Sequence, residues 1–225
     1  MLIIFDLDDT LIDTSGSILP GVLKNALQEM EGVGLTMANF NRYYSELLRL
    51  NTFHTSSKDA LKEFVEINRA PKHCLDVALN AVYESPVFEE TIHPVEDAVE
   101  VLSDLSKSHP LVLVTKGKET IQREKMKRAG ISTEFFTRLY FCEEGEKKKI
   151  YQKVSEEMGI SPLNALVCGD RISLDLTPAK MLGYKTVQIK WGRGLGNTGF
   201  KNHVDYTILH LKELKNLLET FKIVG

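Results

Sequence analysis

Apolar positions along the chain show two textures. Leu2-Ile3-Ile4-Phe5 is unbroken, and similar short runs recur at Pro110–Thr115, Leu139–Cys142, Ala165–Cys168 and Tyr184–Ile189. Runs of this length without polar alternation predict strands buried on both faces, as in a parallel sheet packed between helices. Between them the pattern predicts helices. One is opened by His93-Pro94 and runs to about Lys107, another covers Glu119–Ala129 and is closed by Gly130, and a third covers Lys148–Met158. A short helix follows at Pro178–Leu182, with Thr177 as N-cap and Pro178 at its first position, and a last one closes the chain at Leu211–Phe221. Strands alternating with helices predict a doubly wound, Rossmann-like parallel α/β sheet.

The stretch from 15 to 91 carries the second texture, with helical periodicity and no strand. After the turn-rich Ile12–Gly21, helices are predicted over Gly21–Glu31, Met37–Leu50, from Ser56-Ser57 to before Pro71, and over Lys72–Glu84. The second has Phe40, Tyr43, Tyr44, Leu47 and Leu48 as its apolar stripe. This block is too long for a loop. The expected organisation is therefore a core domain of residues 1–14 and 92–225, with an all-helical domain, 15–91, inserted directly after the first strand.

Composition alters this picture little. Among 225 residues, 43% are hydrophobic and 26% charged, which suits a globular protein. A formal charge of −3 gives no bulk attraction to nucleic acid. No apolar run is long enough to span a bilayer, and the first residues do not resemble a signal peptide. Cys74, Cys142 and Cys168 are odd in number and widely spaced, as expected of reduced thiols in a cytoplasmic protein.

In open parallel sheets, function collects beyond the carboxyl ends of the strands. Here the first strand delivers Asp6, Asp8 and Thr10, and the second delivers Thr115 followed by Lys116-Gly117. A basic cluster, Lys147-Lys148-Lys149, precedes the fourth strand, which delivers Gly169-Asp170, with Asp175 soon after. Residues two apart on a strand point the same way. Asp6 and Asp8 would therefore repel unless one takes a proton or a cation lies between them. Acids, a hydroxyl and a lysine at strand ends form a coherent kit for phosphoryl transfer.

On these motifs the chain resembles the haloacid dehalogenase (HAD) superfamily. Asp6-Leu7-Asp8-Asp9-Thr10 matches its DxDxT motif, Leu111–Thr115 the apolar run ending in Ser/Thr, one clustered lysine the third motif, and Gly169–Asp175 the acidic fourth motif. The helical insertion resembles the C1-type cap of subfamily I. The resemblance implies a phosphatase acting on a small phosphorylated metabolite. Asp6 would be the nucleophile, forming an aspartyl-phosphate, and Asp8 the general acid and then base. Mg²⁺ would be held by Asp6, the backbone carbonyl of Asp8, and Asp170, with Asp175 as a supporting acid. Thr115 and a lysine would hold the phosphoryl oxygens; Lys147 fits best by its distance from Tyr151, and Lys148 is next. The metal would keep Asp6 ionised while Asp8 keeps its proton. An acid at Asp8 speaks for ester chemistry over dehalogenation. Alternatives are a phosphomutase that passes the phosphoryl group to a sugar, and a non-catalytic module phosphorylated on aspartate. A monomer or homodimer is expected, with no nucleic-acid or membrane partner.

The remaining polar residues have simpler readings. Asp9 and Asp13 are expected to form turns. Arg42, Arg49, His54 and Lys58 should lie on exposed helix faces, and Tyr43 and Tyr44 in the core of the insertion. Gly192, Gly194 and Gly196 predict a surface loop rather than a nucleotide fingerprint.

Overall fold

The computed structural model describes residues 1–54, 56–88, 91–196 and 199–223. The chain divides into two compact units, one of Met1–Thr14 with Ile92–Gly225 and the other of Ser15–Thr91.

In the first unit, β1 (Leu2–Phe5) is fully buried and central. The short α1 (Thr14–Ser17) opens the passage to the second unit, which holds α2 (Leu19–Gly32), α3 (Phe40–Phe53), α4 (Ser57–Ile67) and α5 (His73–Leu79). The first unit resumes with α6 (Ala98–Leu105), β2 (Leu111–Lys116), α7 (Glu119–Arg128), β3 (Arg138–Cys142), α8 (Lys147–Met158) and β4 (Ala165–Gly169). It closes with α9 (Thr177–Lys180), β5 (Lys185–Ile189), β6 (Tyr206–Ile208) and α10 (Glu213–Ile223).

The six strands form one parallel sheet in the order β3-β2-β1-β4-β5-β6. From β1 the chain steps outward to β2 and β3, then crosses back to β4 and steps outward the other way. Crossovers between parallel strands are right-handed, so the helices of the two halves cover opposite faces. One face is observed directly: Leu2, Ile4, Val112, Val114, Ala165 and Val167 pack with Tyr151 and Val154 of α8 and Ala179 of α9. The reversal of direction lies between β1 and β4. A crevice at their carboxyl ends is where such sheets bind ligands.

The helical unit has its own core, with Leu23, Leu27 and Met30 of α2, Leu47 of α3, Leu61 and Phe64 of α4, and Cys74 and Ala78 of α5. Side chains of Asn39 and Ser56 cap α3 and α4 by accepting amide hydrogens three residues on. Tyr43 and Tyr44 pack against this core as expected, and Tyr44 donates to the Pro20 carbonyl at 2.9 Å. His54 pairs with Glu63.

Several expectations need correction. The helix after His93-Pro94 begins only at Ala98, because 92–95 pairs with the first unit's exit strand. Asp13 N donates to His93 O at 3.0 Å and Val95 N to Leu11 O at 2.9 Å, and Asp97 then turns with φ 65°. Thr177 does not cap α9 from outside: a π turn over Ile172–Leu176 runs directly into it, and the Thr177 hydroxyl meets His203 Nδ1 at 2.9 Å. A π turn over Asn80–Glu84 likewise prolongs α5. The surface loop expected at Gly192, Gly194 and Gly196 is a 3₁₀ turn, Gly192–Gly196, tucked against the strand ends, and Asn197 and Thr198 just after it lie outside the described residues. β6 has no counterpart among the predicted strands.

Candidate active site

Asp6 sits one residue past β1, its amide still bonded to Cys168 O of β4 at 3.0 Å. The chain then coils tightly. The Leu7 carbonyl accepts the amides of Thr10, Leu11 and Ile12, and Asp9 adopts a left-handed φ of 57°. That turn fits the sequence: short polar side chains tolerate the left-handed region.

Asp170 leaves β4 beside Asp6, and Asp175 returns from the π turn, its carboxylate accepting the Arg171 amide at 2.9 Å. Gly169 makes the return possible, since a Cβ there would lie 2.7 Å from Asp175 Cβ. Asp6, Asp170 and Asp175 are all buried and each offers an oxygen within 4.8 Å of the others. Into this cluster α8 sends Lys147 from its first position. Its ammonium lies 2.5 Å from Asp6 Oδ1 and 2.6 Å from Asp175 Oδ1.

The charge balance follows from this packing. Burial pushes the Asp6 carboxyl up; Lys147 opposes this, Asp175 and Asp8 reinforce it, and the result is a pKa of about 7. Burial, with Asp175, Asp6 and Asp9 nearby, drives Asp170 well above the usual carboxylate range. Burial disfavours the charge on Lys147, but Asp175 and Asp6 outweigh it and raise its pKa. Both Asp170 carboxylate oxygens are buried without a hydrogen-bond partner among the described residues. A buried carboxylate in that condition is costly unless a cation reaches it. Three oxygen donors of this kind suit a hard divalent ion.

Asp8 stands in a different environment. Lys125 Nζ lies 2.8 Å from its Oδ1, the Thr14 hydroxyl donates to the same oxygen at 2.5 Å, and Gln122 Nε2 donates to Oδ2 at 2.9 Å. Burial works against its charge, yet Lys125, with the hydrogen bonds from Thr14 and Gln122, holds its pKa at about 2. Without a cation, the protein's own groups favour a proton on Asp6 over one on Asp8. Asp8 is the firmly ionised acid, and Asp6 is the one burial inclines to hold a proton. Spacing places the two carboxylates together but carries no information about the donors that surround each.

Thr115 is fully buried at the end of β2, its Oγ1 accepting from Gln122 Nε2 at 2.7 Å. Of the lysine cluster, only Lys147 enters the acidic group. Lys148 is half-buried and makes no contact there, so its candidacy is corrected, and Lys149 is exposed. The reason is helical geometry: α8 starts at Lys147, and neighbours along a helix are rotated by about 100° from one another. Lys116 pairs with Glu144 at 3.2 Å. The glycine turn expected as surface bears on the site: Gln188 Nε2 donates to Asp170 O at 3.1 Å and to Gly194 O at 3.2 Å. Asp13 accepts from Trp191 Nε1 at 2.9 Å. Gln122, Lys125 and Thr14 escaped the sequence reading. The available signal was a buried polar residue on an otherwise solvated helix, visible only once the helix is docked.

A doubly wound parallel sheet with a lysine-bridged carboxylate cluster at its switch point defines a class of α/β phosphoryl-transfer and hydrolase folds. Residues 3–189 match the family model described as haloacid dehalogenase-like hydrolase. The chain belongs to that family. It is 32% identical to the glyceraldehyde 3-phosphate phosphatase of Pyrococcus furiosus, covering 97% of this chain and 92% of that protein. To the N-acylneuraminate-9-phosphatase of Rattus norvegicus it is 24% identical, covering 97% of this chain and 93% of the relative. A structure of a predicted phosphoglycolate phosphatase from Haemophilus somnus 129pt superposes with a TM-score of 0.74 at 16% identity, over 96% of this chain and 97% of that one.

Proposed function

We propose that this chain is a Mg²⁺-dependent phosphatase that hydrolyses a small phosphorylated metabolite through an aspartyl-phosphate on Asp6. The observation that carries the reading is the cluster of Asp6, Asp170 and Asp175, with Lys147 bridging Asp6 and Asp175 and neither carboxylate oxygen of Asp170 hydrogen-bonded among the described residues.

An Asp6 carboxylate oxygen attacks phosphorus as the ester P–O bond breaks, and the departing oxygen takes a proton from Asp8. Asp8 is ionised in the free protein, so it takes up that proton with the bound ester. The resulting Asp8 carboxylate then accepts a proton from water, whose oxygen attacks the same phosphorus, releasing inorganic phosphate and restoring Asp6. Thr115 and Lys147 hold the phosphoryl oxygens and offset their charge. Asp6, Asp170, Asp175 and the Asp8 backbone carbonyl are the proposed ligands of Mg²⁺. When bound, the ion offsets the repulsion between a carboxylate nucleophile and an anionic phosphate. Ser15–Thr91 is proposed as the C1-type cap. No helix among the described residues is long and apolar enough to cross a membrane, and a cytoplasmic setting fits the three free, buried cysteines.

The test is phosphate release with Mg²⁺ from a panel containing glyceraldehyde 3-phosphate, N-acylneuraminate 9-phosphate, phosphoglycolate and p-nitrophenyl phosphate. Turnover that vanishes in Asp6→Asn is the expected result. Silence of the wild-type protein across the panel would overturn the proposal.

A further inference from the structure

We propose that Gln122 and Lys125 are positioning residues, which hold the Asp8 carboxylate and the Thr115 hydroxyl in the geometry that delivers a proton to the leaving oxygen. The inference rests on the phosphatase reading above.

α7 is rich in charge, and most of its polar side chains are solvated. Gln122 is only 1% exposed and the Lys125 side chain 12%. Spaced three apart, they share one helix face, and that face meets both motif-bearing strand ends. Gln122 Nε2 lies 2.9 Å from Asp8 Oδ2, 2.7 Å from Thr115 Oγ1 and 3.2 Å from the Lys116 carbonyl. An amide nitrogen has two hydrogens. When Thr115 Oγ1 accepts one, its own hydroxyl hydrogen stays available for a phosphoryl oxygen. Lys125 Nζ and the Thr14 hydroxyl grip the other oxygen of Asp8, at 2.8 and 2.5 Å. Both oxygens of Asp8 are therefore held, by donors from two elements, and its plane is fixed. Gly117, with φ +134°, adopts a backbone that other residues rarely take, beside the Gln122 side chain. Met126 of α7 and Ala129 just past its end are also buried. Burying a lysine head costs desolvation and side-chain freedom that a solvated helix face avoids.

An alkyl phosphate expels a strongly basic alkoxide and depends on the proton from Asp8. The nitrophenolate of p-nitrophenyl phosphate leaves with little help. Loss of positioning should therefore be selective. Lys125→Met removes a charge that disfavours a proton on Asp8, so any loss reports lost position; kcat on the alkyl ester is expected to fall by about tenfold or more relative to kcat on p-nitrophenyl phosphate, within the range that general acid catalysis contributes. KM should change little for either. Lys125→Arg should recover part of the ratio, and in an Asp8→Asn background Lys125→Met should lower the ratio no further. Gln122→Met gives the same reading should Lys125→Met fail to fold. The alkyl ester is the best-hydrolysed member of the panel, beginning with glyceraldehyde 3-phosphate. Equal losses on both substrates would make the residues merely structural and overturn the inference, as would a selective loss that persists without Asp8. A wild-type protein active only on the aryl ester would also overturn it while leaving the phosphatase reading standing. One inactive on every ester removes both.

Discussion

Replacing Asp6 by asparagine should make the metal-free protein more stable, by an amount that grows with pH. Burial, reinforced by Asp175 and Asp8 against the pull of Lys147, raises the Asp6 carboxyl from 3.8 to about 7. A carboxyl raised in the folded state contributes most at low pH, where it is protonated folded and unfolded alike. That contribution is lost as pH climbs from the unfolded value through the folded one, because the unfolded chain then binds fewer protons. At about 1.4 kcal/mol per pKa unit, the loss is roughly 4 kcal/mol by pH 8. Asparagine has no charge to bury and keeps an oxygen facing Lys147, whose other partner, Asp175, remains at 2.6 Å. Allowing for local relaxation, about half of the 4 kcal/mol should appear as gain, which is a rise in Tm of roughly 4–8 °C for a chain of this size. The assay is thermal unfolding of both proteins with EDTA at pH 8 and again at pH 4.5, where the gain should shrink to about a quarter. A variant no more stable than wild type at pH 8, or equally stabilised at both pH values, would refute the account of the cluster.

Two further outcomes follow from the same region. Mg²⁺ should raise the wild-type Tm, with stabilisation of about 2.7 kcal/mol at a concentration a hundredfold above Kd; Asp170→Asn should abolish the shift, and a full shift in that variant would remove Asp170 from the ligand set. Gly192→Ala places a Cβ 2.2 Å from Asp9 Cγ at φ +48°. Left-handed strain plus displacement of Asp9 should cost roughly 2–3 kcal/mol in urea unfolding, and a change within about 0.5 kcal/mol would show the turn to be looser than described.

Strands β1, β2, β4 and β5 were legible because doubly buried strands leave unbroken apolar runs. β6 was not: only Ile208 of Tyr206–Ile208 is buried, so an edge strand of three residues leaves no run. The start of α6 was misplaced because His93-Pro94 looks like a helix opening, while pairing with Leu11–Asp13 claims those residues for extended backbone. Asp6, Asp8, Thr115, Asp170 and Asp175 could be named because strand ends are fixed by the pattern. Spacing to Tyr151 ranked Lys147 ahead of Lys148, but separating them depended on one residue of helix phase, which became visible only with the start of α8 at Lys147. Gln122 and Lys125 were hidden for a different reason, since a polar residue on a polar helix has no signature until something buries it.

The pairing of Leu11–Asp13 with His93–Val95 also bears on how such a chain can change. Exit and re-entry of the inserted helices lie side by side, held by backbone bonds of the α/β unit itself. The ends of the insertion are thus brought together by structure that does not depend on its contents. Further lengthening of a flexible closed segment costs only about 0.6 kcal/mol per doubling. An insert of another length or sequence can be spliced at the same two points while the acidic cluster keeps its geometry. The two units can therefore vary independently in one polypeptide, separated by a junction a few residues wide.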